Sequence, residues 1–180
     1  MTYDTSGRVV VPLSKRKIVL AVLGCAVFVA LAVAFWPALD GLPSGQWTRW
    51  KLIAALSATI AFFGAGGLYL IRKLFDREPG LVIDDEGIVD NASGVSAGRI
   101  PWSHIKGFHV TTVKGQRFLT IDVHSPEIYI ERAPPLKRPL VRVNAAYFGS
   151  PIQIGTATLR IDFDELHSIL TRWFETRVHR

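Results

Sequence analysis

Two stretches of the chain carry no charge. Residues 18–36 (IVLAVLGCAVFVALAVAFW) number nineteen and residues 52–71 (LIAALSATIAFFGAGGLYLI) number twenty. At about 1.5 Å per helical residue each reaches about 28–30 Å, the thickness of a bilayer's hydrocarbon core. Core helices of soluble proteins rarely run this long without a polar face, so the pattern predicts two transmembrane helices.

From Gly80 onward the period changes to short alternating runs broken by turns. Residues 81–84 and 88–90 read as strands around an Asp85-Glu86-Gly87 turn. A Gly/Ser-rich loop (NASGVSAG) and Ile100-Pro101-Trp102 follow, with Trp102 assigned to the core. Residues 107–113 and 116–124 flank Lys114-Gly115, a two-residue turn suited to type I′ geometry. That register sets Phe108, Val110, Leu119, Ile121 and Val123 on one face. His109, Thr111, Gln116, Thr120 and Asp122 take the other, with Phe118 an apolar exception. It also sets His124 opposite Ile105. The pattern is that of a half-buried antiparallel sheet.

Ser125-Pro126-Glu127 resembles an N-cap followed by proline at the first helical position. Alternation over 128–131 fits a strand equally, and the cap favours a short helix ended by Pro134-Pro135. A second helix is expected over 139–148, stopped by Gly149, and strands over 152–154 and 158–161. Asp162-x-x-Glu165 then opens a closing helix whose apolar face is Leu166, Ile169, Leu170, Trp173 and Phe174.

Charge sharpens the picture. The formal net charge is +6, yet residues 1–78 hold nine Lys/Arg against four Asp/Glu, and residues 79–180 hold twelve against eleven. The excess flanks the apolar runs instead of sitting on the folded module, which argues against nucleic acid as a partner. Lys15, Arg16 and Lys17 precede the first run, and Arg72, Lys73 and Arg77 follow the second. The loop 37–51 has only Arg49 and Lys51, against Asp40. The positive-inside rule therefore expects both termini in the cytoplasm and a short external loop, with Trp36, Trp47 and Trp50 as interfacial anchors. A cleaved signal peptide is the rival reading of the first run, through its basic start and Ala32-Val33-Ala34. The apolar stretch, however, exceeds the usual ~7–15 residues of such a region.

Small residues recur every four positions: Ala26, Ala30 and Ala34, then Ser57, Ala61 and Ala65. They fit packing of the two spans as a hairpin, or self-association through Gly64, Gly66 and Gly67; the hairpin is favoured because only one partner helix is guaranteed. Neither span contains an ionisable residue, which argues against transport by this chain alone.

The run KLFDREPGLVIDDEGIVDNASGVSAGRIPWSHI and the later NAAYFGSPIQI resemble a functionally unassigned family of small bacterial two-span membrane proteins with a cytoplasmic pleckstrin-homology-like (PH-like) domain. The resemblance covers nearly the whole chain. It implies the bacterial inner membrane and a PH-like barrel, and it brings no catalytic residues.

Candidate chemistry is sparse. The single Cys25 allows no internal disulfide. His109 and His124, four strand positions apart in the expected register, stand about 13 Å from each other, too far to share an ion. His104, His167 and His179 show no ligand spacing. GAGG lies within an apolar helix and follows no strand, so it is no phosphate cradle. Asn91-Ala92-Ser93 matches a glycosylation sequon, a chance match on the expected cytoplasmic side. Asp84, Asp85 and Glu86 need be no more than a solvated turn, and they argue against phosphoinositide recognition. Arg132, Lys137, Arg138 and Arg142 form the best positive patch, able to gain on the order of 1 kcal/mol each beside an anionic leaflet.

The expected fold is thus a membrane α-helical hairpin followed by an α+β PH-like small antiparallel barrel with a C-terminal helix. The expected domains are a cytoplasmic tail (1–17), an anchor (18–71, with spans 18–36 and 52–71) and a cytoplasmic module (72–180). The expected function is non-enzymatic: binding of a membrane partner protein, of the lipid bilayer's anionic leaflet, or of further copies as a homo-oligomer, with no cofactor. The alternatives are a membrane-associated enzyme acting on a lipid or envelope substrate, and an oligomeric membrane-complex subunit.

Overall fold

The structure, a computed structural model, describes residues 2–3, 7–41, 47–92 and 94–178. Part of the 37–51 loop, Ser93 of the sequon and His179 lie outside the described residues. The chain divides into two compact units, Lys15–Arg77 and the combination of Met1–Ser14 with Glu78–Arg180.

The first unit is a pair of helices, α1 (Lys15–Ala34) and α2 (Trp47–Leu74), with a short 3-10 turn at Trp36–Leu39. At 20 and 28 residues they measure about 30 and 42 Å. Both are longer than the uncharged runs, because the flanking Lys15, Arg16, Lys17 and Trp47 to Lys51 carry no helix breaker. Their apolar windows, of mean hydropathy 3.0 and 1.7, are only 11% and 6% buried. Core helices of a soluble protein would be mostly covered; these two are long and apolar enough to cross a membrane. They pack on each other: Phe28 stacks on Phe63 with ring centroids 4.3 Å apart, and a Cβ at Gly67 would stand 3.3 Å from that of Cys25. Cβ atoms at Gly64 and Gly66 would meet nothing within 4 Å. The hairpin packing thus uses Gly67 alone of the three glycines.

The second unit holds two antiparallel sheets over one core. The first sheet runs in the order β1 (Thr2–Tyr3), β2 (Val9–Val11), β3 (Leu81–Ile83), β4 (Gly87–Asp90) and β5 (Gly98–Pro101). The second comprises β6 (Ile105–Val113), β7 (Gln116–Val123) and β8 (Ile152–Ile154). Helices α3 (Pro126–Arg132) and α4 (Arg138–Phe148) fall between β7 and β8, and α5 (Phe163–Val178) closes the chain. The buried Val9, Val11, Leu81, Ile83, Ile88, Ile100, Leu119, Ile121, Ile154 and Leu166 belong to the same core.

The amino-terminal segment corrects one expectation. Residues 1–17 read as a tail, but Val9–Val11 is an internal strand whose Val9 and Val11 are fully buried. It pairs antiparallel with β3, Val9 opposite Ile83 and Val11 opposite Leu81. The helical pair is therefore an insertion between two neighbouring strands of one sheet. Three residues join β2 to α1 and six join α2 to β3.

Other differences are local. The Lys114-Gly115 turn is type I′ in character, with φ of 48° and 80°, and Val113 faces Gln116 as expected. A β-bulge at Lys106, however, shifts the far end by one residue. Val123, not His124, faces Ile105, and the His124 amide bonds the His104 carbonyl at 2.9 Å. Thr120, expected on the open face, is fully buried; it faces His109 on β6 and Gln153 on β8, and its hydroxyl bonds Thr111 at 2.9 Å. Phe118 lies over Gly155, where a Cβ would come within 3.2 Å of its ring. Gly98–Pro101, where the sequence pattern assigned no element beyond the loop ending at Gly98, forms a strand. Residues 158–161 form none: Leu159 makes a single bridge to Leu13, with Arg160 N–H on the Pro12 carbonyl. Residues 126–132 are helical, although Ser125 makes no side-chain cap bond. Helix α4 ends at Gly149 in left-handed geometry, its N–H bonding the Ala145 carbonyl. Helix α5 buries Leu166, Ile169 and Leu170, while Trp173 and Phe174 are partly covered.

Candidate functional site

The four patch cations come from the α3–α4 corner, and the structure divides them. Pro134-Pro135 break the helix, and the chain turns so that Arg138 reaches back: its Nε bonds the Ala133 carbonyl at 2.9 Å and an Nη bonds that of Glu131 at 2.8 Å. These are carbonyls at the end of α3, which the guanidinium satisfies. Arg138 is therefore a structural clamp. Arg132 lies 5.3 Å from the Tyr129 ring centroid and bonds the Arg99 carbonyl at 3.1 Å. Lys137 and Arg142 are exposed. None of the four lies within ion-pair distance of a carboxylate among the described residues.

Beside this corner is a cavity of about 230 Å³ between the 95–98 loop, α3, α4 and the start of β8. Tyr129 and Arg132 line it, with Ser96 and Gly98 opposite. The loop is held by Asp90, whose Oδ1 accepts from Ala92 N–H at 2.9 Å and whose Oδ2 accepts from Ala97 N–H at 3.2 Å. Thr158 Oγ1 adds a bond to the Ala92 carbonyl at 2.7 Å. The buried Tyr129 hydroxyl meets His104 Nδ1 at 3.0 Å. Burial raises the Tyr129 pKa above its ordinary value, and Arg132 pulls in the opposite direction. A neutral phenol next to one cation suits recognition of a small polar or anionic group.

The carboxylates of the first hairpin are occupied. Asp84 Oδ1 accepts from the Glu86 and Gly87 amides, both at 3.1 Å, fixing the turn. Arg99 bridges Asp84 at 3.2 Å and Glu86 at 2.8 Å, and Arg177 pairs with Asp85. The Asp84 carbonyl takes the Trp102 Nε1–H at 2.8 Å, and the Trp102 ring stacks on Trp173. The histidines are dispersed: His109 meets Asp122 at 2.8 Å, His104 meets Tyr129, and His167 stacks on Phe163. Among the described residues, no three His, Cys, Asp or Glu side chains are grouped as metal ligands.

The residues expected to act as topology anchors sit at the helix ends. Lys15, Arg16 and Lys17 are exposed in the first turn of α1. Arg72 and Lys73 lie in the last turn of α2, where Lys73 bonds Asp76 at 2.8 Å; Arg77 follows. Trp36, Trp47 and Trp50 are exposed at the opposite end, with Lys51 5.5 Å from the Trp47 ring.

One surface escaped the sequence pattern. Leu136 (93% exposed), Leu140 (53%), Val143 (50%) and Tyr147 (82%) stand out from α4 and the turn before it, while Val141 is buried. The available signal was an excess of apolar residues: α4 carries Leu140, Val141, Val143, Tyr147 and Phe148, more than one buried face needs. Comparisons of the chain with protein-family models, with curated proteins and with solved structures return no match.

Proposed function

We propose that this chain is a bacterial inner-membrane protein in which α1 and α2 cross the bilayer and hold an α+β interaction module against the cytoplasmic leaflet. On this reading it binds the anionic leaflet or a membrane partner, and it contributes position instead of catalysis. The PH-like character of the module rests on two antiparallel sheets closed by a C-terminal helix, and on the resemblance of the junction sequence.

The observation that carries the proposal is the insertion of the helical pair between β2 and β3. Because Val11 and Leu81 are neighbours in one sheet, both outer ends of the hairpin must emerge on the same side of any membrane it crosses. The cations favour the cytoplasmic side. Lys15 and Arg16 also sit at a helix N-terminus with no acidic residue in the first turn, where the helix dipole disfavours positive charge. An anionic leaflet supplies the compensation.

The test is cysteine labelling in intact, wall-stripped cells, starting from Cys25→Ser. A membrane-impermeant maleimide is expected to label Thr48→Cys without permeabilisation and Glu175→Cys only after it. Labelling of Glu175→Cys in intact cells would overturn the orientation.

A further inference from the structure

Helix α4 turns an apolar stripe away from the core. At 100° per residue, Leu140, Val143 and Tyr147 fall within about 60° of arc, and Leu136 extends the stripe into the preceding turn. Lys137, the residue before α4, lies to one side of the stripe and Arg142, about 130° of arc from its centre, to the other. From residue 132 to residue 161 the chain has five cations and no Asp or Glu.

We infer that the Leu136–Leu140–Val143–Tyr147 stripe is a lipid-interface element, entering the headgroup zone of an anionic leaflet while Lys137 and Arg142 bind lipid phosphates. The inference rests on the membrane-anchoring reading above and adds the surface that makes the contact. Three observations favour lipid as the occupant. The apolar face with flanking cations is the arrangement of helices that lie in the plane of a membrane surface. Tyr147 presents an amphipathic ring, the residue type enriched at that depth. Linkers of three and six residues tie the module to the two long apolar helices, which keeps the local concentration of lipid high. A second copy fits less well. A two-fold pairing of this face would oppose Lys137 and Arg142 across the interface, with no carboxylate in the stretch to relieve them.

The experiment uses the full chain with Cys25→Ser, one copy per lipid nanodisc, and an environment-sensitive fluorophore on a single introduced cysteine. Positions 140, 143 and 147 report the stripe, Glu175→Cys reports solvent, and Leu20→Cys and Phe62→Cys report the spans. In phosphatidylcholine discs containing phosphatidylglycerol, the stripe labels are expected to be quenched by spin-labelled lipid and the Glu175 label is not. Lys137→Gln and Arg142→Gln should each lower the bound-to-free ratio of the stripe by about fivefold, as should omission of the anionic lipid for each cation it served. Stripe labels that behave like Glu175 while the span labels are quenched would sink this inference alone. Unquenched span labels would sink the anchoring reading beneath it. Protection indifferent to lipid charge, and seen only when two copies share a disc, would assign the stripe to self-association.

Discussion

Strand β2 can be tested by removing its side chains from a module freed of the membrane. Residues 1–14 joined by a short flexible linker to residues 78–180 restore the β2–β3 pair without the helices, whereas residues 78–180 alone leave β3 exposed along one edge. Val9 and Val11 are both fully buried. Each valine-to-alanine change removes two methyl groups, about 1.6 kcal/mol of transfer free energy, and an unfilled cavity adds to it. The pair together should cost roughly 3–5 kcal/mol, a large share of the ~5–15 kcal/mol that holds an ordinary domain. With a urea slope of about 2 kcal/mol/M, the midpoint should fall by roughly 2 M. The joined module retains only Trp102 and Trp173 of the five tryptophans, and these stack at 6.2 Å, so their fluorescence reports its unfolding. Val10→Ala, at a partly exposed position opposite Val82, is the control and should cost under about 1 kcal/mol. A double mutant no weaker than the control, or a 78–180 fragment as stable as the joined module, would refute the assignment of β2 to the core.

Three further outcomes are expected. Neutralising the patch should separate its members: in the joined module, Lys137→Gln and Arg142→Gln weaken binding to anionic vesicles at low salt with the melting temperature held, whereas Arg138→Gln also lowers it, by about 1–2 kcal/mol of stability, because it uncaps α3. Gly87→Ala should cost about 3 kcal/mol in urea unfolding, since its Cβ would fall 2.1 Å from the Ile100 carbonyl oxygen. With pH, Tyr129 stays neutral in the fold after the unfolded chain begins to ionise near its ordinary value of 10.0. The native state then holds the extra proton, so its contribution is complete below that pH and is lost as pH rises through the raised folded value. Tyr129→Phe should flatten this alkaline loss in a pH series of thermal melts.

The long helices were legible because runs of nineteen and twenty uncharged, apolar residues favour helices long enough to cross a membrane. The Lys114-Gly115 hairpin and α5 were legible for a similar reason: turn and period lie within a dozen residues of each other. Strand β2 was not. Its partner at Leu81–Ile83 lies some seventy residues away, and its three valines sit next to cations that read as a membrane flank. Strand β5 contains Gly98 and Pro101, loop formers by local preference that its pairing with β4 overrides. The bulge at Lys106 adds one residue to one strand, which leaves no trace in alternation. At the site, the four cations were visible in sequence but not their division, since Arg138 is defined by carbonyls of another helix. The outward stripe was hidden because α4 has apolar residues on two sides, and only packing decides that Val141 turns inward.

The insertion of the helices into the sheet has a consequence for biogenesis. With both helices crossing as proposed, the ribosome delivers β2 first and must thread an entire membrane hairpin before β3 exists to receive it. Strand β2 waits through that interval without its β3 partner. A chain that inserts only one of its helices strands the two halves of its sheet on opposite sides of the bilayer, and its core cannot assemble. Completion of the fold thus excludes a chain in which one helix crosses the bilayer and the other does not.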